Sequence, residues 1–172
     1  IGFYIIEAYE IDDAQRFMLA DAMFWIQWVD PRLAPYAGCR LTQDRLWYPR
    51  LRLVNRRSLT TIDPNLYFIG EGGTVTYQQR GFGEFSASLD LRDFPLDHQE
   101  IPFRIVSGYS PGDVVFRINE DVTGRQDRLA LVGWTAGDVS WDIGTYYFAP
   151  QKRDLAAVTF SIPVARKGGY FF

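Results

Sequence analysis

The chain has 172 residues, a length that accommodates one domain with a substantial hydrophobic core. Hydrophobic residues make up 47% of the sequence and aromatic residues 16%, a composition that suits pleated, half-buried strands and favours an all-β fold. The net charge of -3 at pH 7 argues against the clustered basic surface that nucleic-acid binding requires. The single cysteine, Cys39, cannot form an intrachain disulfide, so packing alone must stabilise the fold.

Strand-like segments separated by Gly, Pro and Asp recur along the chain, and no long segment has helical periodicity. The predicted strands are Phe3–Ile11, Phe17–Val29, Leu46–Leu53, Asn65–Ile69, Thr74–Gln79, Phe82–Leu89, Glu100–Val106, Val114–Asn119, Val139–Tyr147 and Ala156–Val164. The residues Glu71-Gly72-Gly73 supply the positive φ angles that a tight hairpin needs. This pattern predicts an immunoglobulin-like antiparallel β-sandwich of about ten strands.

The second predicted strand is apolar on both of its faces. Phe24, Ile26 and Trp28 share one face, while Met23 and Trp25 lie on the other. Because a large exposed apolar patch usually marks a partner surface, one interpretation is a subunit interface. The other is a strand that is fully internal.

Residues suited to catalysis are sparse. Nucleophilic catalysis needs a base beside a Ser, Cys or Thr, and the only histidine is His98, next to Asp97 in a charged segment. His98 is either a solvated surface residue or a pH sensor, because histidine titrates near neutral pH. One His and one Cys do not make a zinc site. The sequence therefore predicts no enzymatic activity.

Two acidic pairs are candidates for a calcium site. They are Asp12-Asp13 and Glu120-Asp121, and loop carboxylates are ligands that Ca²⁺ prefers. No EF-hand pattern surrounds either pair, so solvated turns are the second interpretation. No cofactor is expected, and a modulatory Ca²⁺ held with the help of Glu120 and Asp121 stays open.

Three motifs carry a resemblance to a known family. The segment Trp28–Leu33 reads W-x-D-x-R-L, the segment Leu46–Asn55 contains W-x-P, and the segment Leu91–Gln99 contains F-P-x-D. Arg166 and then Tyr170-Phe171-Phe172 follow, cationic and aromatic residues of the kind that flank a membrane entry. In order and spacing, the motifs resemble the prokaryotic pentameric ligand-gated ion channels of the Cys-loop receptor superfamily.

The resemblance implies that residues 1–172 form the ligand-binding ectodomain of such a channel, ending where the first transmembrane helix begins. It implies a homopentamer in the bacterial inner membrane, with this domain on the periplasmic or extracellular side, attached to its own transmembrane domain and responding to a small-molecule agonist or to protons. A soluble pentameric binding protein without a channel is the main alternative. A carbohydrate-binding or enzymatic β-sandwich is the third.

The departures from the animal receptors are informative. Their signature loop is closed by a disulfide, but the matching positions here are Ala87 and Ile101, as expected for a bacterial member. The positions of three ligand-box aromatics are occupied by Val54, Gly108 and Met23. A simple amine held by cation–π contact is therefore disfavoured.

The resemblance places the ligand site between subunits. The predicted ligand-binding residues are Arg52, Tyr109, Tyr147 and Phe148 on the principal side, with Trp25 and Tyr77 from the neighbouring subunit. Aromatic faces bury ligand surface, and the guanidinium fork of Arg52 suits a carboxylate, so an anionic or zwitterionic ligand is favoured. In this arrangement the face with Met23, Trp25 and Gln27 opposes the neighbour's binding loops. Trp25 and Tyr77 have a second interpretation, as residues that only pack the interface.

The resemblance also predicts a gating cluster close to the membrane. Arg166 is expected to bond Asp97 and to lie near Asp13, while Phe94 and Pro95 project toward the transmembrane domain. A guanidinium has five fixed donors and can hold two carboxylates. The alternative is a purely structural role, because buried charges must be paired wherever they occur.

Overall fold

The computed structural model describes residues 1–168, which form two packed β-sheets. Its strands are β1 Gly2–Asp12, β2 Phe17–Val29, β3 Arg40–Leu41, β4 Arg52–Leu53, β5 Arg56–Thr61, β6 Tyr67–Ile69, β7 Thr74–Ser86, β8 His98–Val106, β9 Gly124–Arg125, β10 Trp134–Ala136, β11 Ser140–Phe148 and β12 Arg153–Arg166. Short 3-10 helices span Pro31–Tyr36, Gln43–Arg45, Glu71–Gly73, Glu120–Val122 and Ala149–Gln151. No helix among the described residues is long and apolar enough to cross a bilayer.

The two sheets have different sizes. A seven-stranded sheet has the order β3-β6-β7-β2-β1-β9, with β5 also paired to β7. A five-stranded sheet has the order β10-β12-β8-β4, with β11 also paired to β12. The long pairings β1–β2, β2–β7, β8–β12 and β11–β12 are antiparallel, whereas β9 pairs with β1 in parallel. The predicted all-β sandwich is confirmed, with twelve strands in place of about ten among residues 1–168.

Aromatic side chains from both sheets meet at the centre of the core. Phe3 and Phe85 come from the seven-stranded sheet, and Phe103 and Phe160 come from the five-stranded sheet. The ring centroids of Phe3 and Phe103 are 4.7 Å apart, and those of Phe85 and Phe103 are 4.9 Å apart. Rings at these separations bury a large apolar area and join the sheets without a disulfide. Cys39 is free and exposed.

Strands predicted from a clear alternation of apolar and polar residues are confirmed. Strand β2 has the predicted bounds, β1, β8 and β12 extend the predicted segments by a few residues, and β11 is shifted by one residue. The Glu71–Gly73 turn joins β6 to β7, with φ of 71° at Gly72 and 84° at Gly73. A Cβ atom on Gly73 would lie 2.0 Å from the Asp30 carbonyl oxygen, so this turn requires glycine.

Other strand predictions are wrong. Val114–Asn119 is not a strand, because its backbone has no ladder partner, although Val114, Phe116 and Ile118 pack against the core. Most of Leu46–Leu53 is irregular, with only Arg52–Leu53 paired. The structure adds β5, whose largely exposed sequence lacks the alternation that marks a half-buried strand.

The predicted break inside β7 is absent, since Thr74–Ser86 forms one strand. Gly81 and Gly83 lie opposite Thr61 and Leu59 of β5. A Cβ atom on Gly83 would lie 2.0 Å from the Ser58 carbonyl oxygen. Gly83 therefore permits close backbone approach between β7 and β5, next to the point where the sequence predicted a break between two strands.

Candidate functional site

Arg166, at the end of β12, bonds two aspartates that are distant in sequence. Its Nε donates to Asp97 Oδ1 over 2.8 Å, and its Nη1 donates to Asp13 Oδ2 over 3.0 Å. Only 4% of the Arg166 side chain and 1% of the Asp97 side chain are exposed, against 40% for Asp13. The predicted contacts are confirmed, and the role of these residues in gating stays a prediction.

Two aromatic rings lie against the guanidinium of Arg166. Its central carbon is 4.3 Å from the ring centroid of Trp134 and 4.7 Å from that of Phe94. Trp134 pairs with Arg166 in the β10–β12 ladder, and its side chain is buried. We call Asp13, Phe94, Asp97, Trp134 and Arg166 the Arg166 cluster. Trp134 could not be predicted as a member, because its three-residue strand is too short to show a pattern.

The electrostatics of the cluster favour the charged forms. Burial alone would raise the pKa of the Asp97 carboxyl, but hydrogen bonds from Arg166 and Gln99 outweigh it and hold that pKa below its ordinary value. Burial would lower the pKa of Arg166, but its bonds to Asp97 and Asp13 raise it overall. Both side chains are therefore ionised at neutral pH, as a buried ion pair requires.

The segment between Leu91 and Gln99 carries the remaining predicted coupling residues. Phe94 is 48% exposed although its ring contacts Arg166, and Pro95 is half-buried. The backbone N–H of Arg166 donates to the Asp97 carbonyl over 3.1 Å. The last strand is thus tied to this segment through both backbone and side chain. His98 is exposed at the start of β8.

At the predicted ligand site, Arg52 and Phe148 are close together. The guanidinium carbon of Arg52 lies 5.6 Å from the Phe148 ring centroid. Phe148 and Tyr146 pack on a small cluster formed by Val106, Leu155 and Ala157. We call Arg52, Tyr146 and Phe148 the Arg52 surface. Tyr146 was not among the predicted ligand-binding residues, and the strand period of two that puts it beside Phe148 is the signal that could have selected it.

The other two principal-side aromatics point elsewhere. Tyr147 precedes Phe148 in β11, so its side chain lies on the opposite face of that strand, where it is 60% exposed. Tyr109 packs against Trp47 with ring centroids 5.4 Å apart. Of the four predicted residues, Arg52 and Phe148 are the pair that the structure brings into contact.

Trp25 and Tyr77, which the resemblance assigns to the neighbouring subunit's side of the site, lie on opposite faces of the seven-stranded sheet, and their role in ligand binding stays a prediction. Tyr77 lies opposite Ile26 in the β2–β7 ladder and shares its core-facing side, where its ring stacks on Tyr67 at 4.6 Å. Trp25 lies opposite Gln78 on the other face and is half-buried. Adjacent strand residues alternate between faces, and the register of β7 decides which face Tyr77 takes.

Tyr77 instead lines a partly open cavity, which it shares with Arg52. The cavity has a volume of about 260 Å³, and its lining includes Phe24, Arg56, Leu59, Tyr77 and Gln79. The cavity lies beside β5. It could not be predicted because the sequence of β5 lacks the alternation that marks a half-buried strand.

The candidate calcium residues do not gather around one point. Glu120 and Asp121 lie in a 3-10 turn whose Asp121 N–H donates to Asn119 Oδ1 over 3.1 Å. The Asp12 carboxylate accepts from the Gln15 N–H, and the Asp13 carboxylate is bonded to Arg166. Within residues 1–168, no group of three or more His, Cys, Asp or Glu is arranged to hold a metal ion.

Comparison with known proteins gives the family. Residues 1–167 match the neurotransmitter-gated ion-channel ligand-binding domain. The chain belongs to this family. The β-sandwich is therefore an extracellular-type domain of the Cys-loop superfamily, and its F-P-x-D segment, Phe94–Asp97, is the signature loop that bonds Arg166.

Relatives from bacteria and animals match the chain. A proton-gated ion channel from Gloeobacter violaceus is 25% identical over 173 residues, covering 96% of this chain and 48% of the relative. A gamma-aminobutyric acid receptor alpha-like protein from Drosophila melanogaster is 32% identical over 113 residues, covering 59% of this chain and 16% of the relative. The gamma-aminobutyric acid receptor subunit theta from Mus musculus is 32% identical over 105 residues, covering 55% of this chain and 16% of the relative. The chain spans about half or less of the length of these relatives.

Proposed function

We propose that this chain is the ligand-sensing ectodomain of a bacterial pentameric ligand-gated ion channel, with no enzymatic role. The observation that carries the proposal is the Arg166 cluster. One buried guanidinium joins the β1–β2 turn, the signature loop and the last strand, elements that are separated by 69 and 153 positions in sequence. The likeness to a proton-gated ion channel over almost the whole chain supports it.

Coupling follows from this connection. A shift of β12 moves Arg166, and the ion pairs then carry the shift to the signature loop and to the turn with Asp13. The cluster would pack against the transmembrane domain in two alternative arrangements. One would favour the closed pore and the other the open pore. Phe94, half-exposed beside the guanidinium, offers the apolar contact, with Pro95 next to it.

The proposed protein is a homopentamer anchored in the inner membrane. Its agonist site lies outside the membrane, between the ectodomains of two neighbouring subunits. Arg52 supplies the cationic fork and Phe148 the aromatic wall, while the half-buried Met23 and Trp25 and the exposed Gln27 form the opposing face of the neighbour. Heterologous contacts of this kind close a ring when the rotation permits. Tyr109 and Tyr147 would contact the ligand only if their side chains moved or if the ligand extended to the rim of the site.

The ligand class follows from Arg52. Its guanidinium is exposed, and a planar fork binds a carboxylate through two parallel hydrogen bonds. We therefore expect a small carboxylate or a zwitterion rather than a simple amine. Ca²⁺ at Glu120 and Asp121 would act as a modulator near Trp25, since these residues border the same open groove.

The test is current recording from the full-length protein in lipid bilayers. The stimuli are acetate, glycine, propylamine, Ca²⁺ and steps from about pH 8 to about pH 4, where carboxylates and histidine titrate. We expect a current evoked by acetate, glycine or acid, a weaker response to propylamine, and a pentamer in native mass spectrometry. Arg52→Ala should abolish the carboxylate response, while the exposed Arg40→Ala on the edge strand β3 leaves it unchanged. Absence of current under every stimulus, or a dimer or tetramer, would contradict the proposal.

A further inference from the structure

A buried glutamine closes the signature loop. Gln99, the second residue of β8, is only 5% exposed. Its Nε2 donates to the Asp90 carbonyl over 2.6 Å and to Asp97 Oδ2 over 2.6 Å. Its Oε1 accepts the Asp90 N–H over 3.0 Å. One side-chain amide thus bonds both backbone groups of Asp90, as a neighbouring strand would, and a carboxylate as well.

This contact stands where covalent closure is absent. The positions that match the animal disulfide are Ala87 and Ile101, which are 4% and 0% exposed and pack in the apolar core. The Gln99 amide joins residues 90 and 99 just inside that interval. Hydrogen bonds at a buried site are strengthened by the low local dielectric, so a satisfied amide can hold a loop in one conformation.

The same amide sets the orientation of Asp97. Asp97 Oδ1 accepts from Arg166 Nε, while Oδ2 accepts from Gln99 over 2.6 Å and from Arg166 Nη2 over a longer 3.4 Å. The closest donor to Oδ2 is therefore Gln99. Without it, the carboxylate would be free to rotate toward either donor of Arg166, and the guanidinium would be held less firmly between Asp97 and Asp13.

We propose that Gln99 is a positioning residue for coupling, a hydrogen-bonded latch that holds the signature loop closed and aims Asp97 at Arg166. This rests on the proposed channel function. Gln99 touches neither Arg166 nor Asp13 through any bond described above and acts through Asp97. Its effect on gating should accordingly depend on the hydrogen-bonding state of its side chain and not on its volume.

The first experiment makes the latch titratable in the full-length channel. In Gln99→Glu, an ionised carboxylate would face Asp97 and repel it, whereas the protonated acid can again donate one hydrogen bond. We expect the current evoked by acetate or glycine to be at least tenfold smaller than that of the wild type near neutral pH and to recover on acidification. Gln126→Glu is the matched control, since it makes the same charge change on an exposed side chain. A ratio of mutant to wild-type current that does not change with pH would overturn the proposal.

The second experiment does not require current. The Asp90 N–H should be protected from hydrogen exchange in the wild-type full-length protein and should exchange at least tenfold faster in Gln99→Leu, which keeps similar volume but cannot bond. Unchanged exchange around Asp90 would show that Gln99 is not a latch. Faster exchange with normal gating would overturn the positioning role alone. If no stimulus opens the wild-type protein, the channel function fails, while the exchange result still decides whether the latch exists.

Discussion

The Arg166 cluster and the Arg52 surface each centre on an arginine beside an aromatic ring, but they are built in opposite ways. Arg166 is 4% exposed, bonded to two aspartates and in contact with two rings, all from one chain. Arg52 is exposed, has one ring at 5.6 Å and has no carboxylate partner within residues 1–168. Folding of a single chain thus completes the first, whereas the second retains free donors for a ligand.

This difference has an energetic consequence. A buried charge that loses its partner carries the full cost of its desolvation, whereas an exposed charge remains hydrated. Substitutions of the buried ion pair in the Arg166 cluster should therefore change the stability of the fold, and substitution of the exposed Arg52 should change only the response to ligand.

The largest effect is expected for Arg166→Ala. It leaves the Asp97 carboxylate, 1% exposed, without its cationic partner and removes the group between Trp134 and Phe94. Loss of one partner from a buried pair typically costs about 3–5 kcal/mol. Urea unfolding of the purified protein measures this change. A loss below about 1 kcal/mol, the range of a surface ion pair, would show that the pair is solvated.

A smaller effect on stability is expected for Arg166→Lys. Lysine keeps the charge and part of the hydrogen bonding but cannot hold Asp97 and Asp13 in one planar fork, so it loses a hydrogen bond to a charged group, worth roughly 1.5–3 kcal/mol. We expect near-normal surface expression with strongly reduced current. Asp97→Asn should behave alike, and normal currents in both variants would remove the coupling role.

Acid should weaken the same cluster. The folded-state pKa of Asp97 lies below its ordinary value, so its contribution is present above the unfolded pKa of about 3.9 and is lost as pH falls through the lower folded value. The unfolding free energy should therefore decrease below about pH 4. Asp30 and Asp90 also have lowered pKa values, so the wild type must be compared with Asp97→Asn, which should have a shallower acid dependence. Identical acid profiles would contradict this account.

The smallest effect on stability is expected for Arg52→Ala. Surface substitutions without a buried partner usually change the unfolding free energy by no more than about 0.5 kcal/mol. We expect that range here, together with loss of the carboxylate response. A loss above about 2 kcal/mol would mean that the contact with Phe148 is structural, because exposed cation–π pairs are worth only about 0.5–1 kcal/mol.

Part of this architecture could be predicted from local pattern. The alternation in β2 and β12 indicated both the strands and their buried faces, since a side-chain period of two is a property of neighbouring residues. Strand β5 could not be found in this way because it is mostly exposed and pairs with β7 opposite two glycines. Val114–Asn119 shows the reverse error, apolar alternation in a segment without a ladder partner.

For the two candidate sites, the sequence by itself determined which residue types could take part. They include the aspartate of the signature loop and an arginine near the end of the last strand. Spacing alone could not join Asp13 to Arg166, which are 153 positions apart, and the family resemblance supplied that expectation. Only the tertiary structure brought Trp134 to Arg166, assigned Gln99 to Asp97 and separated Tyr77 from Trp25. The physical reason is that alternation records whether a side chain is buried, whereas its neighbours depend on strand register and sheet packing, which are set by residues far away in the chain.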